Sequence, residues 1–219
     1  MSEDNAIQEA QGAQEDSGRE ERHAKRMARK KAVVDESIAA AQEERGVLVV
    51  NTGNGKGKSS AAFGVVARAI GHGMKVAVIQ FIKGRSDTGE EEFFRRVGET
   101  MPGCIDWHVT GEGFTWDTQN HARDVEVAEK AWDIARQYLA DPEYGLVVLD
   151  EFTYVLKYGW LNIDRVLETL AIRPPMQHVI ITGRAAPDAL VEAADTVTDM
   201  TMVKHAFKAG VKAMPGLEW

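Results

Sequence analysis

The nine residues Thr52-Gly53-Asn54-Gly55-Lys56-Gly57-Lys58-Ser59-Ser60 place three glycines and two lysines ahead of paired hydroxyls. Such a stretch can do one thing well. Glycines let the backbone fold closely around an anion, and a following helix offers oriented N–H groups and the positive end of its dipole. Lys58 supplies a point charge to terminal phosphates, and the Ser59 hydroxyl is spaced to reach a magnesium ion. The loop Gly53, Asn54, Gly55, Lys56, Gly57, Lys58, Ser59, Ser60 is therefore a candidate triphosphate site. It departs from the usual phosphate-loop spacing, because the first glycine stands one place late, at Gly53, and Gly55 is extra. A dinucleotide-binding turn is the competitor, but glycines at every second position do not match its Gly-x-Gly-x-x-Gly pattern.

Other residues could complete such a site. Asp150-Glu151 follows the apolar run Leu146-Val147-Val148-Leu149, and magnesium needs only one or two carboxylates beside phosphate oxygens. Spacing does not say which carboxylate touches the metal. Arg184 ends Ile181-Thr182-Gly183-Arg184 and could clamp phosphate oxygens or form a surface ion pair. Arg68, ten residues after Lys58, could do either as well. Phe114 and Trp116 lie in Gly111–Asn120, among glycines and polar residues with no helical spacing, as a lid, local packing or a ligand contact. Lys204-His205 precedes the tail as a bland loop or as a contact to nucleotide or partner. His72, His108, His121 and the single Cys104 have no metal-ligand spacing.

The elements that must position these residues alternate. Apolar runs at 47–52, 75–81, 105–109, 146–149, 178–182 and 196–203 predict strands. Helical patterns fill about 58–70, 89–98, 121–140, 162–171 and 187–194 between them. Alternation of this kind predicts an α/β fold, a mostly parallel sheet flanked by helices on both faces and resembling P-loop NTPases, in one domain over 46–219. Val125, Ala128, Trp132, Ala135 and Leu139 form a core stripe. Residues 1–18 are acidic and predicted disordered. From 19 to 45 the pattern predicts a basic helix with seven cationic residues between Arg19 and Lys31 and a modest apolar stripe at Val34, Ile38 and Ala41.

The 219 residues suffice for one sizeable α/β domain. A net charge of −8 argues against a dedicated nucleic-acid binder. A lone cysteine excludes an intrachain disulfide, and no apolar run reaches transmembrane length, so the expected location is the cytoplasm with no membrane partner.

Together the motifs are narrower than any one of them. Thr52 through Gly64, Val78-Ile-Gln-Phe-Ile-Lys-Gly84, Gly113-Phe-Thr-Trp-Asp-Thr-Gln-Asn120, Val148-Leu-Asp-Glu151, Ile180-Ile-Thr-Gly-Arg184 and the ending Lys204–Ala213 with Gly216–Trp219 closely resemble the phosphate-loop type of ATP:corrinoid adenosyltransferase. The resemblance runs from about Arg19 to the C-terminus. It implies transfer of the 5′-deoxyadenosyl group of ATP to Co(I) of a corrinoid, with tripolyphosphate released and the triphosphate lying in the reverse direction along the loop. It further implies that Ser59 and Glu151 ligate Mg²⁺, with Asp150 behind them. Phe114 and Trp116 would exclude the lower axial ligand of the corrinoid, and the N-terminal helix would cover the site. A homodimer and a reduced flavoprotein electron donor also follow from the resemblance. Ser59 where threonine is usual keeps the hydroxyl. Residues 1–18 have no counterpart, and Leu217-Glu218-Trp219 varies the usual ending. A phosphate-loop small-molecule kinase or ATPase is the alternative, and a binding-only sensor a third reading.

Overall fold

The protein is described by a computed structural model covering residues 3–82, 88–110 and 121–217, with side chains from residue 19 onward. Phe114 and Trp116 lie outside the described residues. The chain divides into two units, Met1–Glu44 and Arg45–Trp219.

The first unit is one helix, α1 (Glu3–Ala40). It begins within the stretch for which composition predicts disorder and stops about five residues earlier than the 19–45 pattern suggests. Helix-favouring alanine, glutamine, glutamate, lysine and arginine dominate its sequence, which is why local propensity suffices to carry it. Met27, Val34 and Ile38 recur at spacings that share a helix face, and all are exposed.

The second unit alternates. β1 (Leu48–Thr52), α2 (Lys58–Gly71), β2 (Lys75–Gln80), α3 (Gly89–Thr100), β3 (Ile105–Val109), α4 (His121–Ala140) and β4 (Tyr144–Asp150) are followed by α5 (Thr153–Lys157), α6 (Ile163–Ala171), β5 (His178–Thr182), α7 (Asp188–Ala193) and β6 (Thr196–Asp199). A 3-10 turn spans Ala206–Ala209. The strands form one parallel sheet in the order β3-β2-β4-β5-β1-β6.

Both faces of the sheet are covered, which is why the central strands are continuous apolar runs rather than alternating ones. On one face α2 lays Ala62, Phe63, Val66, Ala69 and Ile70 against Val76, Val78, Leu146, Val148 and Ile180. On the other, Ala128, Ala131, Trp132, Ala135 and Leu139 of α4, with α6 and α7, cover Ala77, Ile79, Val147, Leu149, Val179 and Ile181. Trp132 is fully buried and stacks on Phe152 at 5.5 Å, as the stripe predicts. Asn162 starts α6 by accepting the N–H groups of Asp164 and Arg165 at 2.8 and 3.2 Å.

The register brings the strand ends level. Gln80 lies beside Asp150, and Asn51 beside both Thr182 and Thr198. The turns after β1, β4 and β5 therefore emerge along one edge, the edge where parallel α/β sheets bind ligands. β6 is four residues long against the eight expected, because beyond Asp199 the chain passes onto the loop after β1, where Met200 O accepts the Gly55 N–H at 2.5 Å. The five-residue α5 has no sequence-predicted counterpart. It is too short to show a period.

Candidate active site

β1 ends at Thr52, and the backbone then makes two left-handed turns, at Gly53 (φ 98°) and Gly57 (φ 104°), before α2 starts at Lys58. Gly57 is the residue that caps α2, and it does so without a side-chain bond. That leaves the first N–H groups of the helix to an incoming anion.

The extra glycine has a structural cause. Gly55 N–H donates to Met200 O at 2.5 Å, and a Cβ at Gly55 would lie 2.5 Å from Met200 O and 2.8 Å from both Thr201 C and Thr201 O. A Cβ at Gly53 would collide with the Asp199 side chain and the Met200 backbone. The first half of the loop is thus braced from outside by the chain leaving β6, which admits nothing larger than glycine at either place. Gly57 meets only the Met200 sulfur at 3.7 Å and is glycine for its backbone conformation.

Lys58 is buried, with its ammonium donating to Gly53 O at 2.9 Å and Gly55 O at 2.6 Å. Burial pushes its pKa below the ordinary lysine value, and Arg184 and Lys56 push the same way, while Glu151 and Asp150 pull it back up. Groups of both signs that sequence reasoning assigns to phosphate and metal therefore share one electrostatic neighbourhood. Gly55, Lys56, Gly57, Lys58, Ser59 and Ser60 line a cavity of about 490 Å³ together with Glu151, Arg184, Tyr154, Ile82, Thr88, Glu90 and Leu217. Gly53 and Asn54 face a second cavity of about 620 Å³, bounded also by Asp199, Thr201 and Lys208.

The carboxylate pair divides its labour. Asp150 is fully buried; its Oδ1 accepts the Thr182 hydroxyl at 2.7 Å and its Oδ2 accepts Gln80 Nε2 at 2.8 Å. Glu151, with φ 57°, turns out of the strand and reaches the cavity. Its backbone N–H donates to Thr182 Oγ1 at 2.9 Å. Arg184 follows Gly183 (φ 139°), and its carbonyl accepts Thr153 Oγ1 at 2.8 Å.

Of the residues expected at the site, Gly55 through Ser60, Glu151 and Arg184 meet in one cavity. Arg68 does not join them. It sits exposed in the last turn of α2, where its charge faces the negative end of the helix dipole, and it does not line the cavity. Ten residues of helix, about 15 Å of rise, separate it from Lys58. Sequence reasoning missed Tyr154, Thr88 and Ile82 in the lining, and Gln80 and Thr182 behind it. Tyr154 rides on the unpredicted α5; its phenol pKa is raised by burial first and by Glu151 second, with Arg184 opposing. Gln80 and Thr182 carried a signal: each is a polar residue closing a buried apolar strand.

A magnesium ion fits the donor set. Ser59 and Glu151 both line the cavity and offer oxygen ligands, and hard divalent cations beside phosphates complete their shell with phosphate oxygens and water. Among the described residues, no group of three or more His, Cys, Asp or Glu side chains could hold an ion alone.

Residues 44–219 match the family model described as ATP:corrinoid adenosyltransferase BtuR/CobO/CobP, and residues 13–38 match a model for the N-terminal part of cob(I)alamin adenosyltransferase. The second match starts ahead of Arg19 and so takes in part of the acidic stretch. The chain is 62% identical over 201 residues to the corrinoid adenosyltransferase of Pseudomonas aeruginosa, covering 92% of this chain and 97% of that one. It is 46% identical over 200 residues to the Escherichia coli K12 corrinoid adenosyltransferase, covering 91% and 99%. Identity to the Sinorhizobium corrinoid adenosyltransferase is 45% over 199 residues, covering 90% and 92%. Among solved structures, the flagellar accessory protein FlaH of Methanocaldococcus jannaschii aligns over 70% of each chain at 12% identity, with a TM-score of 0.49. With the family model spanning the whole α/β unit, and the loop, the carboxylate turn and the arginine turn all inside it, the chain belongs to the ATP:corrinoid adenosyltransferase family.

Proposed function

We infer that this protein transfers the 5′-deoxyadenosyl group of ATP to the reduced cobalt of a corrinoid and releases tripolyphosphate. The observation that carries the reading is the convergence of Lys58, Ser59, Glu151 and Arg184 on one cavity in a chain of this family. In the reaction a Co(I) electron pair forms the bond to C5′ as the C5′–O bond breaks, and that bond's pair leaves on tripolyphosphate. The loop then serves as the grip on a leaving group. Its N–H groups, the Lys58 ammonium and Arg184 stabilise negative charge that grows as the bond breaks. Such groups raise the rate because they meet more charge in the transition state than in bound ATP. Lys58, now held by the Gly53 and Gly55 carbonyls, would turn to the phosphates. Ser59 and Glu151 would hold Mg²⁺, which when bound neutralises phosphate charge.

Phe114 and Trp116 are assigned to the lower face of the corrin, where apolar rings favour four-coordinate Co(II) and ease its reduction. α1, which carries the cationic run and matches the N-terminal family model, is assigned as the cover of the site. A homodimer, a reduced flavoprotein donor and a cytoplasmic setting, where the free Cys104 stays reduced, complete the reading.

The test is product analysis. Protein, ATP, Mg²⁺ and chemically reduced cobalamin should give the light-sensitive spectrum of an alkylcobalamin and one tripolyphosphate per turnover. ADP as the nucleotide product, with no cobalt–carbon bond, would refute the reading and point to a kinase or ATPase.

A further inference from the structure

Glu151 has a left-handed backbone, Arg184 lies between Gly183 (φ 139°) and the left-handed Ala185 (φ 53°), and each turn is held by a threonine from the other. Glu151 has φ 57°, a conformation that crowds any residue with a Cβ. What fixes it is the Thr182 hydroxyl at the end of β5, which accepts the Glu151 N–H at 2.9 Å and donates its one proton to Asp150 Oδ1 at 2.7 Å. Because the carboxylate takes the proton, the hydroxyl's lone pairs are committed to the Glu151 N–H, and the direction of both bonds is set. Gln80 Nε2 holds the other Asp150 oxygen at 2.8 Å, so the anchor cannot rotate away. The mirror contact runs the opposite way. Thr153, in the turn after β4, donates to Arg184 O at 2.8 Å, and the absence of a side chain at Gly183 lets it approach. Thr153 and Thr182 are both fully buried.

We propose that Thr182 and Thr153 are positioning residues, a reciprocal brace that fixes Glu151 and Arg184 relative to one another in the phosphate cavity. Thr182 thereby sets the metal's contribution to ATP binding, and Thr153 sets the contribution of Arg184. The proposal rests on the reading of Glu151 as a magnesium ligand and Arg184 as a phosphate contact.

ATP is titrated calorimetrically into each variant of the full chain, once in saturating Mg²⁺ and once in EDTA. The ratio of the two affinities is the metal increment. Thr182→Val cuts that increment about tenfold, the loss expected for one hydrogen bond that orients a charged ligand, and leaves the metal-free affinity within about twofold. Thr182→Ser keeps the hydroxyl and keeps the increment. Thr153→Val lowers affinity about as much with and without metal, so its increment stays, and Thr153→Ser restores it. Circular dichroism reports folding, and Thr182→Ala, which leaves room for water, carries the same comparison should the valine variant not fold. Glu151→Gln is the control. An unchanged increment in a folded Thr182→Val or Thr182→Ala protein, with the increment lost in Glu151→Gln, overturns the brace. An increment that survives Glu151→Gln overturns instead the assignment of Glu151 to the metal, and the proposal with it.

Discussion

Gly55→Ala separates the structural reason for the extra glycine from a phosphate-binding one. The φ of Gly55 lies outside the left-handed region, so alanine is conformationally allowed there and only space opposes it. The new methyl carbon would sit 2.5 Å from Met200 O and 2.8 Å from Thr201 C and O. All three atoms are backbone and cannot swing aside as a side chain would. To restore van der Waals contact the 200–201 segment must retreat by about 1 Å, and overpacking of this kind costs about 1–3 kcal/mol. The retreat also breaks the 2.5 Å bond from Gly55 N–H to Met200 O, worth about 1 kcal/mol. The sum, about 2–4 kcal/mol, corresponds to a fall in Tm of roughly 4–16 °C for a chain of this size. Because the same segment braces the loop, ATP affinity should drop about tenfold or more alongside stability. Gly64→Ala is the matched control. Gly64 lies on the exposed side of α2 with nothing within 4 Å, and alanine there should stabilise by about 0.5–1 kcal/mol without touching ATP binding. Thermal denaturation and calorimetric ATP titration read both. A Gly55→Ala protein with native Tm and native ATP affinity would refute the brace from β6.

Lys58→Met removes the buried ammonium and should lower ATP affinity about 100-fold, on the scale for deleting one partner of a desolvated charge pair; the same titration checks it. Asp195, held by Arg45 at 2.7 Å and by the Leu48 N–H at 2.8 Å, has its carboxyl pKa lowered to about 2 from the ordinary 3.8. A depressed carboxyl stabilises the fold above its unfolded pKa and loses that stability as pH falls through the folded one. Acid titration from pH 4 to 2 should therefore remove about 1 kcal/mol, discounted for solvent screening, and denaturation of Asp195→Asn should show no such loss. Phe114→Ala with Trp116→Ala should cripple adenosylation starting from Co(II) and spare much of it when Co(I) is supplied chemically. Equal loss in the two visible-spectrum assays would remove these residues from axial-ligand exclusion.

The parts of the fold that repeat a period were legible in the sequence. The β3, α4 and β5 patterns coincide with the observed Ile105–Val109, His121–Ala140 and His178–Thr182, because burial on both faces of a sheet or on one helical stripe leaves an unbroken apolar signature. What escaped has no period. α5 is a single turn, and β6 ends early because its last backbone groups are taken by the loop it braces. Arg68, for which the sequence leaves a phosphate contact and a surface ion pair open, stands ten places after Lys58, a count that in a straight helix leads away from the N-terminus and the cavity there.

The residues that share the cavity were legible in the sequence, and what supports them was hidden. A glycine run before Lys-Ser and an acidic pair after four apolar residues stand out because phosphate and metal sites call for those residue types at the ends of buried strands. The support is a row of polar side chains, Gln80, Asp150, Thr182 and Asn51, set level across β2, β4, β5 and β1 by the register. All four are buried. In sequence they stand some thirty to seventy residues apart, and each resembles an ordinary polar stop to a strand. Only the parallel register makes neighbours of them, so the loss of any one should be felt at the turn beside it and not along its own strand. The same reasoning explains Gly55. Its partners, Met200 and Thr201, arrive from the far end of the chain, and a glycine that looks redundant for phosphate is required by the backbone that passes behind it.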